Sequence, residues 1–372
     1  MASMDADTAA LLREAVGKHA DRTGDGRAVR SRRNTLPGYA PETLAAMAEQ
    51  GWLALALPED AGGLGLGVSA AGIVAEGLAG CFGADPFHSL FLAGRVLTHA
   101  GAAAELLAAL ATGKTLPALA WQENPQGARL NPPATRYSAG RVTGQKAWIV
   151  GAAGATHFIV SASGPDGLVL VLAEAGASGS QLSQAFRPDG SPMGRLVLDG
   201  VPGEVLACGE VAESALRAAL DETSVLVAAE LMGHIDRMMA MVIEHMKTRR
   251  QFGRPIGAFQ ALQHRAADMF VHQRLARAVL EAGLTRFDSL SDRVARGMQS
   301  ARLRARLNDT AQLVMRESIQ LFGAMGITDE NDLSLHVKRC LSLIGWLGSS
   351  VELRGYYMDL AGPARQAADG RI

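Results

Sequence analysis

The chain is short of cysteine, of aromatics and of net charge, and each shortage closes off a class of protein. Its 372 residues include three cysteines, Cys81, Cys208 and Cys340, far apart and without a C-x-x-C pair. So sparse and odd a set argues against a disulfide framework or a structural zinc site and fits a reducing compartment. A formal charge of −1 gives no electrostatic reason to expect nucleic acid or an anionic membrane as partner. Lys and Arg do gather after Ala240, but in helical patterns that a solvated face explains. No apolar run is long enough, or free enough of charge, to span a bilayer. The opening M-A-S-M-D-A-D-T has no apolar stretch, so no secretion signal is expected and the chain reads as cytoplasmic. Aromatics supply only 5% of residues, while hydrophobic residues reach 48%, with Ala, Leu and Gly prominent. Ala and Leu favour closely packed helices, and the length leaves ample material for one large core or several smaller ones.

Three zones differ in texture: residues 1–114, 115–207 and 208–372. The first reads as helices separated by Gly and Pro. One opens at Pro41 and runs to Gly51, which suits a C-terminal cap. The stretch 51–67, G-W-L-A-L-A-L-P-E-D-A-G-G-L-G-L-G, ends in a glycine-rich turn but lacks the G-x-G-x-x-G of a phosphate cradle. The second zone has short β-type runs at 116–121, 141–150, 157–161, 168–173 and 194–198, at spacings that predict a compact antiparallel β domain. The third reads as four long helices, at 214–248, 258–286, 292–322 and 331–360, joined by short turns as in an antiparallel bundle. An α, β, α succession implies three subdomains packed together.

Between the first two long helices stands R-R-Q-F-G-R-P-I-G-A-F-Q-A-L-Q-H-R-A-A-D-M, residues 249–269. I-Q-L-F-G-A-M-G-I-T-D-E-N-D follows at 319–332, and G-Q-K-A-W-I-V-G precedes it at 144–151. With the glycine-rich stretch near residue 60, these blocks resemble the acyl-CoA dehydrogenase family in type, spacing and order over most of the chain. The resemblance implies a mainly α fold with a β middle domain: an N-terminal helical domain, an antiparallel β domain and a C-terminal four-helix bundle. It also implies an FAD-dependent oxidoreductase of fatty acid or lipid metabolism.

Elementary chemistry agrees with the cofactor. A pyrophosphate favours a guanidinium and the free N–H groups of a helix start, and Arg249 and Arg250 adjoin the Gly253–Pro255 break before a new helix. By resemblance, Arg249 holds the pyrophosphate of a neighbouring subunit's FAD, Phe252 packs beside it and Gln260 contacts its adenosine half. Gln320 and Gly323 flank the same nucleotide, the glycine permitting close backbone approach. Trp148 matches the tryptophan that stacks on the isoalloxazine, and Trp121 and Gln122 match positions at its pyrimidine end. Alone, the two arginines equally fit solvated cations at a helix end, and Trp148 fits plain core.

In the family a glutamate removes the α proton of an acyl thioester while hydride leaves the β carbon for the flavin. Most members carry that glutamate before a glycine in a turn of the last helices; here Leu347 precedes Gly348. A minority place it on the first bundle helix before an arginine; here the pair is Thr223-Ser224. Of the remaining carboxylates, Glu230 lies seven residues after Thr223 on the same helix face, about 10 Å along. It is the first candidate for the base, although a polar role within the bundle explains it as well. Glu222 points about 100° away around the helix, and Glu352 falls in a stretch that reads as uninterrupted helix. His264 invites a catalytic reading but is explained as a bundle or interface histidine. His88 and His157 have no partners at metal-ligand spacing, and 328–332 reads as a capped helix start; no metal is expected.

The lost base and short length resemble the small subunits of two-component acyl-CoA dehydrogenases of the pimeloyl-CoA and sterol side-chain types. The implied partners are an acyl-CoA substrate, an electron-transfer flavoprotein and a larger homologous subunit. The alternatives are a structural subunit that completes another chain's FAD site, or a homo-oligomeric flavoenzyme with a displaced base.

Overall fold

The computed structural model describes residues 4–83, 86–124 and 129–369. Six helices come first: α1 (Ala6–Thr23), α2 (Gly26–Arg32), α3 (Pro41–Glu49), α4 (Gly67–Leu78), α5 (Phe87–His99) and α6 (Ala104–Ala111). Local chemistry sets their ends. The Asp5 carboxylate accepts from Thr8 N at the start of α1 (2.7 Å), and Gly51, at φ +69°, carries the chain out of α3.

The middle of the chain is β1 (Pro117–Ala120), β2 (Arg136–Ser138), β3 (Arg141–Val150), β4 (His157–Gly164), β5 (Gly167–Glu174), β6 (Ser180–Phe186), β7 (Pro192–Pro202) and β8 (Glu204–Cys208). They form one sheet in the order β6-β7-β3-β2-β4-β5-β8, with β1 also on β4. The sheet is mixed rather than purely antiparallel, because β1 and β2 both run parallel to β4. The intervening β2–β3 hairpin supplies the crossover that a parallel β1–β4 pair requires. Sequence reading finds the long apolar strands but not β2, β6 and β8; the exposed faces of β2 and β6 weaken the alternation that marks a strand. Side chains along β4 alternate between two cores. Ile159 joins the helical core, while Phe158 and Val160 join a second core inside the β domain.

The last part is helical: α7 (Gly209–Thr248), α8 (Gln260–Phe287), α9 (Arg293–Phe322), α10 (Leu333–Ile344) and α11 (Ser350–Asp369). From Ala219 to Ile235 every residue of α7 is buried, because the helix runs through the interior rather than along a surface. Gly233 lies against α4 so closely that a Cβ there would stand 2.3 Å from the Glu76 carbonyl oxygen.

The expected helix 331–360 is instead two helices. Leu347 (φ +62°) and Gly348 (φ +118°) take left-handed conformations that no α-helix accommodates. Beyond them Ser349 and Glu352 cap α11 reciprocally: Ser349 N and Oγ each donate to Glu352 Oε2 at 2.8 Å, and Glu352 N donates back to Ser349 Oγ. The apolar periodicity of L-S-L-I-G-W-L-G-S-S-V-E-L hides this break. Among the described residues, no helix is long and apolar enough to cross a membrane.

Candidate flavin and acyl-CoA site

Two segments of the β domain build one wall. Between Lys146 and Ile149 the pairing of β3 with β7 slips, and Trp148 at φ +54° occupies the irregularity. The chain leaving β1 runs alongside, and Ala147 N donates to Gln122 O at 2.8 Å. Gln122 and Trp148 thereby face a cavity of about 340 Å³ that Trp346, Leu347 and Glu352 close from the α10–α11 turn. The position where the resemblance puts a base therefore does adjoin the expected flavin wall, and it holds a leucine. Glu352 borders this cavity as well, but its carboxylate is occupied with capping α11.

On the other side of Leu347, a cavity of only about 10 Å³ lies between Trp121, Asp221, Ser224 and Tyr356. That is room for about one water and no acyl chain. Asp221 is a carboxylate the sequence reading did not single out. Its Oδ2 accepts from Tyr356 Oη (3.1 Å), and Arg217 Nη2 stands 3.4 Å from Oδ1. Burial raises its pKa, and Arg217 and Tyr356 only partly offset the shift.

Glu230 lines neither cavity. It is completely buried, with Arg339 donating through Nε (2.7 Å) and Nη2 (3.1 Å), and with His234 at 3.2 Å and His88 at 3.4 Å. Arg339 continues to Asp189 (3.0 Å), and His234 Nδ1 meets His336 Nδ1 at 2.8 Å. Burial pushes the Glu230 carboxyl up, but the Arg339 guanidinium, His88 and the His234 contact outweigh it and hold it well below the usual range. Such a carboxylate is a weak proton acceptor. Its geometry is that of an ion-pair hub joining α5, α7 and α10.

Glu222 has the same character. Arg95 (2.6 Å), Arg296 (2.6 Å) and His99 (3.2 Å) surround it, and against the penalty of burial Arg95 and His99 bring its pKa to about 2. Thr223 is buried and returns its hydroxyl to the Ala219 carbonyl at 2.7 Å. His88, for which the sequence suggested nothing, packs against Glu230; His264 is exposed on α8. No group of three or more His, Cys, Asp or Glu able to hold a metal occurs among the described residues.

The remaining nucleotide candidates gather at one end of the bundle. Arg249 caps α7 and is exposed; Phe252 is 92% exposed at φ +51° in the short hairpin that follows; Gln260 opens α8. Gln320 and Gly323 close α9 nearby, where His245 stacks on Phe322 at 4.2 Å. A Cβ on Gly323 would meet nothing within 4 Å, and its φ of +62° suits glycine. This open, cationic, aromatic edge and the tryptophan-lined cavity each fit part of a dinucleotide. No residue of the first set lines the cavity of the second.

Lys146, Arg339, His234, His336 and Asp221 were not singled out as functional from the sequence. A usable signal existed: a lysine on the inward face of a strand with Val142, and Glu230 and His234 four apart within an apolar run.

Comparison with known proteins agrees with this architecture. Residues 6–114 match the family model described as acyl-CoA dehydrogenase, N-terminal domain, and residues 213–354 match acyl-CoA dehydrogenase, C-terminal domain. The chain is 30% identical over 335 residues to acyl-CoA dehydrogenase IpdE2 of Mycolicibacterium smegmatis, covering 88% of this chain and 91% of the relative. A variant of the Tcur3481-Tcur3483 steroid ACAD superposes with a TM-score of 0.87 at 24% identity, covering 97% of this chain and 99% of that one. The ChsE4-ChsE5 complex of Mycobacterium tuberculosis gives 0.85 at 22% identity, with the same coverage. With its fold, its tryptophan-lined cavity and its two matching domains, the chain belongs to the acyl-CoA dehydrogenase family of FAD-dependent oxidoreductases.

Proposed function

We propose that this chain is one subunit of a hetero-oligomeric acyl-CoA dehydrogenase that oxidises the α,β bond of an acyl-CoA and passes electrons to an electron-transfer flavoprotein. The observation that carries the reading is Leu347: the turn that presents a base in the family is formed, and its side chain cannot accept a proton. In this reading a larger homologous subunit supplies the carboxylate. The present chain supplies Arg249, Phe252, Gln260, Gln320 and Gly323 to an FAD shared across the subunit boundary, with Gln122 and Trp148 forming its own flavin wall and Trp121 packed behind them beside Asp221. FAD, when bound, accepts the hydride; this chain's residues position the cofactor and keep water from it. Glu230 is then a structural ion pair and not the base. The names of the two solved relatives, each a pair of components, accord with such an assembly.

The 10 Å³ space beside Asp221, too small for an acyl chain, favours a second reading, in which the chain is a structural subunit that holds no substrate and completes another chain's FAD site. One experiment separates these. Purify the chain alone and co-expressed with a larger acyl-CoA dehydrogenase homologue from the same genome, then record visible spectra and flavin bleaching by acyl-CoA. Flavin and bleaching that appear only in the pair, and survive Glu230→Gln in this chain, support the proposal. A yellow, acyl-CoA-reducible chain on its own, silenced by Glu230→Gln, would overturn it. Flavin restricted to sites built by the larger chain would select the structural subunit.

A further inference from the structure

We propose that Lys146 is a positioning residue for FAD, clamping the two segments of the flavin wall into one surface. The proposal rests on the FAD-binding part of the reading above. Lys146 is fully buried on β3. Its ammonium has three protons and three acceptors: Glu123 Oε1 at 2.7 Å, Ser161 Oγ at 3.0 Å and the Trp121 carbonyl oxygen at 3.4 Å. Two of these belong to the segment that carries Trp121 and Gln122. Lys146 itself immediately precedes the irregularity that turns Trp148 into the cavity.

Glu123 extends the clamp. Its Oε1 also accepts from Thr135 N (2.9 Å) and its Oε2 from Ala134 N (2.7 Å), so one carboxylate ties together both ends of the connection between β1 and β2. Thr135 Oγ1 returns to the Gln145 carbonyl oxygen at 3.3 Å, next to Lys146. A buried ion pair of this kind is a weak source of net stability, because desolvation offsets the attraction, and an apolar residue of similar volume does as well. Its distinguishing effect is geometric: it fixes where Gln122 and Trp148 stand relative to each other.

The pair also gives the clamp a recognisable pH signature. Burial lowers the Lys146 ammonium to about 8 although Glu123 opposes the shift; burial pushes Glu123 up, but Lys146 and the donors at Thr135 and Ala134 outweigh it and bring it to about 2. Glu123 is the charged side chain facing Lys146; Ser161, from β4, is neutral. Above pH 8 the ammonium loses its proton and the Glu123 carboxylate loses its cationic partner.

The test is FAD affinity, read by flavin fluorescence on the full chain in the assembly that carries flavin, between pH 7 and 9.5. Lys146→Met is expected to weaken FAD binding at least tenfold at pH 7. The unmodified protein should weaken toward that level as pH rises past 8. Glu123→Gln, which leaves the ammonium buried without its anion, should move the midpoint of that loss to lower pH. Lys146→Arg, which stays charged, should hold FAD across the range. Wild-type affinity in Lys146→Met, or an identical midpoint with and without Glu123, overturns the clamp and leaves the dehydrogenase reading intact. No FAD bound by the unmodified protein in any assembly overturns both.

Discussion

Asp221 and Glu230 stand nine residues apart on the same buried helix, and they are opposites. Both are buried. Glu230 has a guanidinium on two sides of its carboxylate and two imidazoles, and it stays charged far into acid. Asp221 has a phenol and a more distant guanidinium, and its affinity for a proton rises. Burial alone therefore does not fix the state of an interior carboxylate; the number and reach of its partners do. Helix-face spacing from Thr223 singles out Glu230, while the carboxylates that share a cavity with Leu347 are Asp221 and the capping Glu352.

The comparison can be broken first at Arg339. Arg339→Met strands Glu230 in the interior and should cost about 3–5 kcal/mol, seen as an earlier transition in urea. Glu230→Gln should cost less, about 1–3 kcal/mol, because Arg339 keeps Asp189 as partner. Asp221→Asn should change stability by no more than about 1 kcal/mol at neutral pH, since burial opposes the charge of Asp221 and Arg217 and Tyr356 only partly offset it. A large loss there would mean that Asp221 is ionised and firmly paired.

Titration sharpens the contrast, because the signs differ. The folded pKa of Glu230 is depressed, so its contribution is present above its unfolded value, about 4.3, and is lost as pH falls through the folded value. The folded pKa of Asp221 is raised, so its contribution is present below its unfolded value, about 3.9, and is lost as pH rises through the folded one. Urea midpoints followed from pH 3 to 7 should show Glu230→Gln converging on the parent protein in acid. Asp221→Asn should fare relatively better toward neutrality. Parallel curves for the two variants would remove the distinction.

Much of the fold was legible because it repeats. Helical periodicity and capping signals located α7, α8 and α9, and β-type alternation located β1, β3, β4, β5 and β7. The α10–α11 break was not legible. Its cause is a leucine at φ +62° and a capping pair within an apolar stretch, and neither departs from helical periodicity. The nucleotide candidates were visible as a motif, and the structure gathers Arg249, Phe252 and Gln260 at one end of the bundle with Gln320 and Gly323. The clamp at Lys146 was written in plain view in G-Q-K-A-W-I-V-G, but a lone lysine in a strand carries no mark of its partner 23 positions earlier.

By itself, the sequence determined the α, β, α succession, the family and the absence of a proton acceptor at Leu347, since each depends on residue type and local order. Only the tertiary structure decided how firmly each buried carboxylate is paired and which of them face the cavities. Glu230 meets Arg339 109 positions away and His88 from another domain, and no local pattern encodes such meetings. Electrostatic state belongs to the assembled interior, where the partners arrive from distant parts of the chain and water is excluded.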